Sequence, residues 1–505
     1  MSNYFEILCG VAALLIAVYY YATSTFDFWK NRGVVGPRPL PYIGNIKEIL
    51  FARKSLADYT REIYIAYKNE PMVGLYSRRS PVLLLRDPKL IKNVLITDFP
   101  NFTGRGTIIN EKVEPLSANL FFLEEERWRP LRNHLSPMFS SGKLREMFHL
   151  IVECSQYLEK YLEENVGRTG IIECQALAAK YTTDVIGSCA FGIERSALEN
   201  ENSEFHKISR EVFAVNLRNF LQQKLKEFVP MLYNLLALLP PQNFVLAFMK
   251  LVSETMKYRR ENNIARPDFM KLLMDLQKNP DKLQNIEFTD TMLTAQLGIF
   301  FAAGFVAPSM AISNALYELA LNQDVQDKLR EEIEEFCGKN NGELKFDDIK
   351  KMKYLDKVFK ETLRMHSASS VLRRRAQSNY TFNDTKVSIP KGMMVWIPLY
   401  GIHYDPNIYP NPKKFDPERF NEDAVAARHR MHYLPFGDGP RNCIGGRFAV
   451  YQTRVGLITI LRNYKIDICD KTIIPYKINP YSMLPVPKGT YLKMTKIPRE
   501  CKVVS

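Results

Sequence analysis

The run Phe436-Gly437-Asp438-Gly439-Pro440-Arg441-Asn442-Cys443-Ile444-Gly445-Gly446 sets one cysteine behind two glycines and a proline. An apolar, helix-compatible segment, Phe448 to Leu461, follows it, so the whole reads as a loop feeding a helix start. A cysteine there meets unpaired backbone N–H groups and the positive end of the helix dipole, which lower a thiol's pKa and keep the sulfur anionic. A sheltered, anionic sulfur is a good ligand for a soft or borderline metal. The glycines let the backbone approach something flat and large. Phe436 is placed to pack over the sulfur, and Arg441 to meet an acidic substituent of the bound group. These features together suit one axial thiolate on haem iron.

A lone cysteine is more often a small buried hydrophobe, so the spacing has to carry the reading. Zinc is disfavoured because no second cysteine or histidine stands at ligand spacing. A dinucleotide loop is disfavoured because Asn442 fills the third glycine position after Gly437 and Gly439. Phe436, Gly439, Arg441, Cys443 and Gly445 resemble the haem-binding loop of the cytochrome P450 superfamily at every defining position.

The 505-residue chain is 46% apolar, which is ordinary for a folded protein with a sizeable core. Length alone leaves the domain count open. The net charge of +14 invites a nucleic-acid reading, but no basic run exceeds Arg373-Arg374-Arg375. A basic surface facing an acidic protein or anionic lipid is at least as good a fit. The eight cysteines have no spacing pattern, which favours a reducing compartment over a disulfide framework.

Residues 1–29 read as an uncleaved membrane anchor. Ile7 to Ala22 are almost wholly apolar or tyrosine, Glu6 precedes them, and Lys30 and Arg32 follow, the reverse of a secretory leader. Positive charge after the span places the body on the cytosolic side. Residues 30–45 form a basic, proline-rich hinge through Gly36-Pro37-Arg38-Pro39-Leu40-Pro41, and 46–505 form one catalytic domain.

Within that domain, Met72 to Leu85 read as short strands and Leu144 to about Phe359 as mostly amphipathic helix. Trp128 and Arg132 stand four apart, on one face of a helix. The superfamily places this pair against a haem propionate; the resemblance extends the role to Arg374 and Arg441, with Arg105 as a weaker candidate. Glu361-Thr362-Leu363-Arg364 matters by its order and distance: with Arg419 in Pro417-Glu418-Arg419-Phe420 it corresponds to the family's charge network bracing the cysteine loop.

The long apolar segment from Thr291 to Leu321 departs from the family pattern. There, Ala-Gly-x-Glu/Asp-Thr supplies an acid and a hydroxyl that relay protons to the oxygen being activated. Here Ala303-Gly304-Phe305 is followed by Val306-Ala307-Pro308, so both relay groups are absent. Ser309 lies about 200° around the helix from residue 307 and is no substitute. Pro308 predicts a kink or local opening that admits water.

The resemblance covers the chain from anchor to C-terminus and is strongest to the microsomal, insect detoxification branch. It implies a mainly α fold with a small β-rich lobe from residues before about 100 and between about 370 and 400. Haem b, with its iron, would lie between the distal helix and the Cys443 loop. It further implies an endoplasmic reticulum monooxygenase acting on an apolar small molecule. Electrons would come from NADPH through a flavoprotein reductase, with cytochrome b5 as a further partner and nucleic acid as none. Phe300, Phe301, Met483 and Leu484 are the expected pocket residues. Val306 and Ala307 keep two alternatives open: a haem-thiolate peroxide isomerase or dehydratase, and a haem protein that binds apolar compounds without turnover.

Overall fold

A computed structural model describes residues 2–498 apart from 108, 168, 193–197, 199–203, 214–224, 227–228, 236–242, 265, 267, 280–282, 284–285, 340–341 and 483. The expected mainly α fold with a small β lobe is present. Its principal sheet has the order β1-β2-β7-β4, from Met72–Ser77 (β1), Ser80–Leu85 (β2), Met394–Pro398 (β7) and Val371–Arg375 (β4). β1 and β2 form a hairpin in register Met72↔Leu85 to Ser77↔Ser80; β2 runs parallel to β7, and β4 antiparallel to it. Buried Val, Leu and Ile side chains fill the strands, as a sheet covered on both sides requires. Tyr380–Thr381 (β5) and Ser388–Ile389 (β6) make a small ribbon.

A further sheet lies outside the two regions where strands were expected. It joins Ile171–Glu173 (β3), Tyr464–Asp467 (β8) and Tyr491–Lys496 (β9) in the order β3-β9-β8. Two of its strands, β3 and β8, have only three and four residues, too few for alternation to register as a period-2 pattern.

The N-terminal apolar helix spans Ser2–Thr23 and is exposed along nearly its whole length. Over Tyr4–Thr23 its mean hydropathy is 1.9, compatible with a membrane anchor on this body. Past that helix, the last residues of the expected 1–29 segment pack on the body. Trp29 is 3% exposed, and its indole N–H donates to the Leu75 carbonyl at 3.0 Å. Phe26 and Phe28 pack against the same cluster. These aromatics extended the apolar run in sequence, but their rings belong to the body. Gly74 accommodates them: a Cβ there would stand 2.4 Å from the Trp29 ring.

The helix from Asp290 to Leu321, hereafter the distal helix, is also apolar enough to span a bilayer, but two thirds of it is buried. It is the core helix, flanked by Cys174–Ile186 and by Gly446–Asn463, which follows the cysteine loop. Pro308 lies inside an uninterrupted helix. The expected opening is therefore one carbonyl, that of Gly304, which loses its usual partner because proline has no N–H.

Candidate functional site

The cysteine loop is built from backbone constraints. Cys443 N–H donates to the Phe436 carbonyl at 2.8 Å, and Asn442 N–H to the Gly439 carbonyl at 3.0 Å. Gly437 and Gly439 both adopt positive φ, 68° and 73°. At Gly439 the space also demands glycine, since a Cβ would lie 1.8 Å from the Leu95 carbonyl oxygen. Asp438 accepts from Arg430 and from Gly439 N–H, holding the turn's far side. The helix begins at Gly446.

Cys443 has free surface, but protein surrounds the sulfur closely enough that burial dominates its ionisation. Burial pushes the thiol up, while the Gly445 N–H and the charges of Arg132 and Arg105 pull it down. The expectation of a lowered pKa from loop and helix terminus alone is thus corrected: desolvation outweighs them. A metal would itself have to drive off the proton, as it does for coordinating thiols.

Beside this loop the fold gathers four guanidiniums, of which Arg132 and Arg105 act on the sulfur itself. Arg132, in the Glu125–Leu135 helix, donates to the Asn442 carbonyl at 3.1 Å and to its Oδ1 at 2.8 Å. Arg441 donates to the Leu123 carbonyl at 2.7 Å and lies 4.1 Å above the Trp128 ring. Arg105 donates to the Arg441 carbonyl, and Arg374 to the Arg373 carbonyl. Burial holds Arg105 down at about 10 and Arg441 at about 9, helped by neighbouring guanidiniums. Arg374 lies well below the usual range for the same reasons. Arg105 Nε, Arg374 Nε and Arg441 Nε and Nη1 are buried and have no partner in the protein.

Buried guanidiniums that depress one another and leave donors unused fit a ligand carrying more than one carboxylate. Haem, with two propionates, matches that demand and the single thiolate. Among the described residues no group of three or more His, Cys, Asp or Glu is placed to hold a metal, so a multidentate protein site finds no support there.

The distal helix presents a narrow accessible strip within its buried length. Ala303 is exposed, and Gly298, Ile299, Ala302, Gly304 and Ala307 are half-buried, while the residues around them are buried. One turn further, Ala311 packs with Phe436 of the cysteine loop, Phe359 and Leu363. The strip therefore belongs to the same interior region as Cys443. Val306 does not contribute to it; at 7% exposure it packs into the core. Ser309 is turned away as expected: its hydroxyl donates to the Val306 carbonyl and accepts from Gln175 Nε2.

Glu361, Arg364 and Arg419 do come together. Arg364 Nε and Nη2 reach the Glu361 carboxylate at 2.7 and 2.8 Å, and Arg364 also donates to the carbonyls of His403 and Pro412. Arg419 Nε stands 3.4 Å from Glu361. His403 links this brace to the cysteine loop, since its Nε2 accepts Leu434 N–H at 3.1 Å. Nothing about a lone histidine in sequence singled it out.

Burial, then the charge of Arg364, lowers His403 to about 3. Unfolded, the ring titrates near 6.5, so between about pH 6.5 and 3 the unfolded chain binds the extra proton. Stability should fall as pH drops through that window, by about 1.4 kcal/mol per pH unit from this group. Denaturant melts from pH 7 to 4 should show a shallower slope in His403→Gln; an unchanged slope would assign the acid sensitivity elsewhere.

The expected pocket residues fall in different surroundings. Phe300 meets Phe139 edge-on and Phe269 at a tilt, and Phe301 sits among Phe191, Phe205, Phe248 and Phe305. Both rings are core; Phe300 serves the site only through Phe139, which abuts Gly445. Leu484 is 38% exposed, and Met483 lies outside the described residues. Gln296 was missed: its amide accepts Leu120 N–H and donates to the Ala118 carbonyl, both at 2.8 Å, stitching the 99–120 loop onto the distal helix.

Comparison with known proteins agrees with this geometry. The family model for Cytochrome P450 matches residues 34–494. Cytochrome P450 6A1 of Musca domestica is 37% identical over 504 residues, covering 98% of this chain and 99% of its own. Cytochrome P450 6a2 of Drosophila melanogaster is 38% identical, with 97% and 99% covered, and Cytochrome P450 6j1 of Blattella germanica 35%, with 98% and 99%. The chain therefore belongs to the cytochrome P450 family and is a haem-thiolate monooxygenase supplied with electrons by a reductase.

Proposed function

We propose that this monooxygenase oxidises an apolar small molecule, whether xenobiotic, plant toxin or endogenous lipid, at the cytosolic face of the endoplasmic reticulum. Its electrons come from NADPH through a membrane-bound flavoprotein reductase, with cytochrome b5 as a second donor. The observation that carries the reading is the combination of the loop thiol of Cys443 with the nearby guanidiniums of Arg105, Arg374 and Arg441, whose buried donors have no partner in the protein.

Cys443 would supply the thiolate that holds the haem iron. Arg105, Arg132, Arg374 and Arg441 would hold the propionates, with Trp128 supporting Arg441 from its ring face. Phe436 and Gly445 shape the loop around the sulfur. Bound haem supplies the activation of dioxygen, so that one oxygen atom enters the substrate and the other leaves as water. The strip at Ala302, Ala303 and Ala307 offers methyl groups where the substrate sits, which favours apolar ligands and leaves room beside the helix.

Proton delivery is where this chain differs. Neither Val306 nor Ala307 can donate, and Ser309 is committed to Gln175. The carbonyl freed by Pro308, that of Gly304, is a polar group near the strip that can accept a hydrogen bond from water. The same lack of donors supports a second reading, rearrangement or dehydration of a peroxide, which needs no relay. Product formation that depends on NADPH, oxygen and reductase is the expected result. Conversion of a hydroperoxide with no need for reductase would favour the second reading, and spectral binding of apolar compounds without product would support neither.

A further inference from the structure

The first half of the distal helix carries one amide side chain, Gln296, and it is fully buried. Its Nε2 donates to the carbonyls of Ala118 and Met292 at 2.8 and 3.0 Å, and its Oε1 accepts Leu120 N–H at 2.8 Å. Two different spaces lie on either side of this clasp. Toward the C-terminus is the accessible strip, which begins at Gly298, where Leu116 of the 99–120 loop stands 3.5 Å from the position of a Cβ. Toward the N-terminus is a cavity of about 290 Å³ whose lining includes Ala118 and Met292, the two residues whose carbonyls Gln296 holds. Met292 and Gly298 are about 9 Å apart along the helix axis, and Gln296 lies between them.

The two spaces differ in chemistry. Along the strip stand two glycines, three alanines and Ile299, so no side chain there can hydrogen-bond. The cavity is edged by Glu111, Arg127, Glu287 and Thr289, where a hydroxyl finds both donors and acceptors. Its volume is near the lower bound for a small-molecule site.

The cavity is closed lightly on the outside and firmly on the inside. Arg127 reaches Glu111 at 2.6 Å and Met292 Sδ at 3.8 Å, but the ion pair is 42% and 47% exposed, and such pairs are worth under about 1 kcal/mol. Moving Gln296 instead breaks three buried hydrogen bonds. A molecule that brings its own hydroxyl can replace one of them. A hydrocarbon cannot, and leaves the amide and the loop carbonyl unsatisfied.

We infer that Gln296 is the gate of a passage by which the oxygenated product leaves the site: it opens to a molecule carrying a hydroxyl and stays shut to the apolar substrate. The inference rests on the proposed insertion of oxygen into an apolar compound. It gives the clasp a use beyond holding the loop, a selection by polarity between what has reacted and what has not.

The test follows ligand release from the full-length, haem-loaded protein. Protein saturated with decalin or with 2-decalol is mixed with excess imidazole, and the rate at which the imidazole-bound spectrum appears reads the departure of each. From the native protein 2-decalol should leave at least about fivefold faster than decalin, the factor for one net hydrogen bond. Gln296→Met keeps the volume but not the clasp, and should bring the two rates together by speeding decalin. A general loosening of the loop would speed both alike and preserve the ratio. Thr291→Trp fills the cavity from an exposed position on its lining, and should slow 2-decalol while leaving decalin unchanged. Equal rates from the native protein, a ratio untouched by Gln296→Met, or 2-decalol release unaffected by Thr291→Trp would overturn the gate. Should Gln296→Met lose its haem, the Thr291→Trp result decides alone. A native spectrum that responds to neither compound would instead overturn the apolar-substrate reading.

Discussion

Glu361→Ala should destabilise the protein by about 3–5 kcal/mol, the range for removing one partner of a buried ion pair. Both side chains are fully buried, and Arg364 would keep its charge without its carboxylate. Burial alone pulls that guanidinium down, but the bonds to Glu361 outweigh it and its pKa is raised. Glu361 also accepts Asp416 N–H at 2.9 Å and attracts Arg419, so the truncation strands three groups. The damage should reach the haem loop, because Arg364 grips the carbonyl of His403, whose ring holds Leu434. Equilibrium denaturation should show the loss of stability, and haem content should fall with it. A loss under about 1 kcal/mol, the value of a surface pair, would contradict this account of the brace.

Ala307→Thr should raise the share of NADPH that ends in product and lower the peroxide released. Residue 307 is half-buried on the accessible strip, and a threonine hydroxyl there can bond back to the Ala303 carbonyl, as helical threonines do. General acid–base groups contribute about 10²- to 10⁴-fold, and one hydroxyl without its companion acid should deliver the low end. Adding Val306→Glu is a different matter. Val306 is packed in the core, so a carboxyl there would be desolvated, and the double substitution should gain less than its two parts suggest while losing stability. Product and peroxide measured against NADPH consumed decide the point. No change in either with Ala307→Thr would show that water at the Gly304 carbonyl already meets the proton demand.

The two cases differ in how far the sequence could have led. Cys443, Gly439 and Arg441 were legible because the demands on them are local: a thiol, a positive φ and a cation within a few residues of one another. Glu361 and Arg364 were legible only through their order relative to the cysteine, since the same spacing recurs at Glu124 and Arg127 without that role. Phe300 and Phe301 were ambiguous in sequence because core and pocket wall both select apolar side chains. Only the packed structure separates them, and it places the accessible face on alanines. Trp29 was ambiguous in the same way, as an aromatic next to an apolar run whose ring turned out to seal the sheet. His403 and Gln296 were invisible because their partners, Leu434, Leu120 and Ala118, are remote in the chain. The thiol itself shows the limit of local reasoning: loop and helix terminus argue for a low pKa, but burial, which no local pattern reveals, argues harder the other way.

The most direct test of thiolate ligation is the carbon monoxide difference spectrum of the reduced protein, compared between the native chain and Cys443→His. The native protein should give the long-wavelength band of a thiolate-ligated haem. The histidine variant, if it retains haem, should give the band of an imidazole-ligated one. A thiolate-type band that survives in Cys443→His would contradict the assignment of this sulfur and the reading of the site built on it.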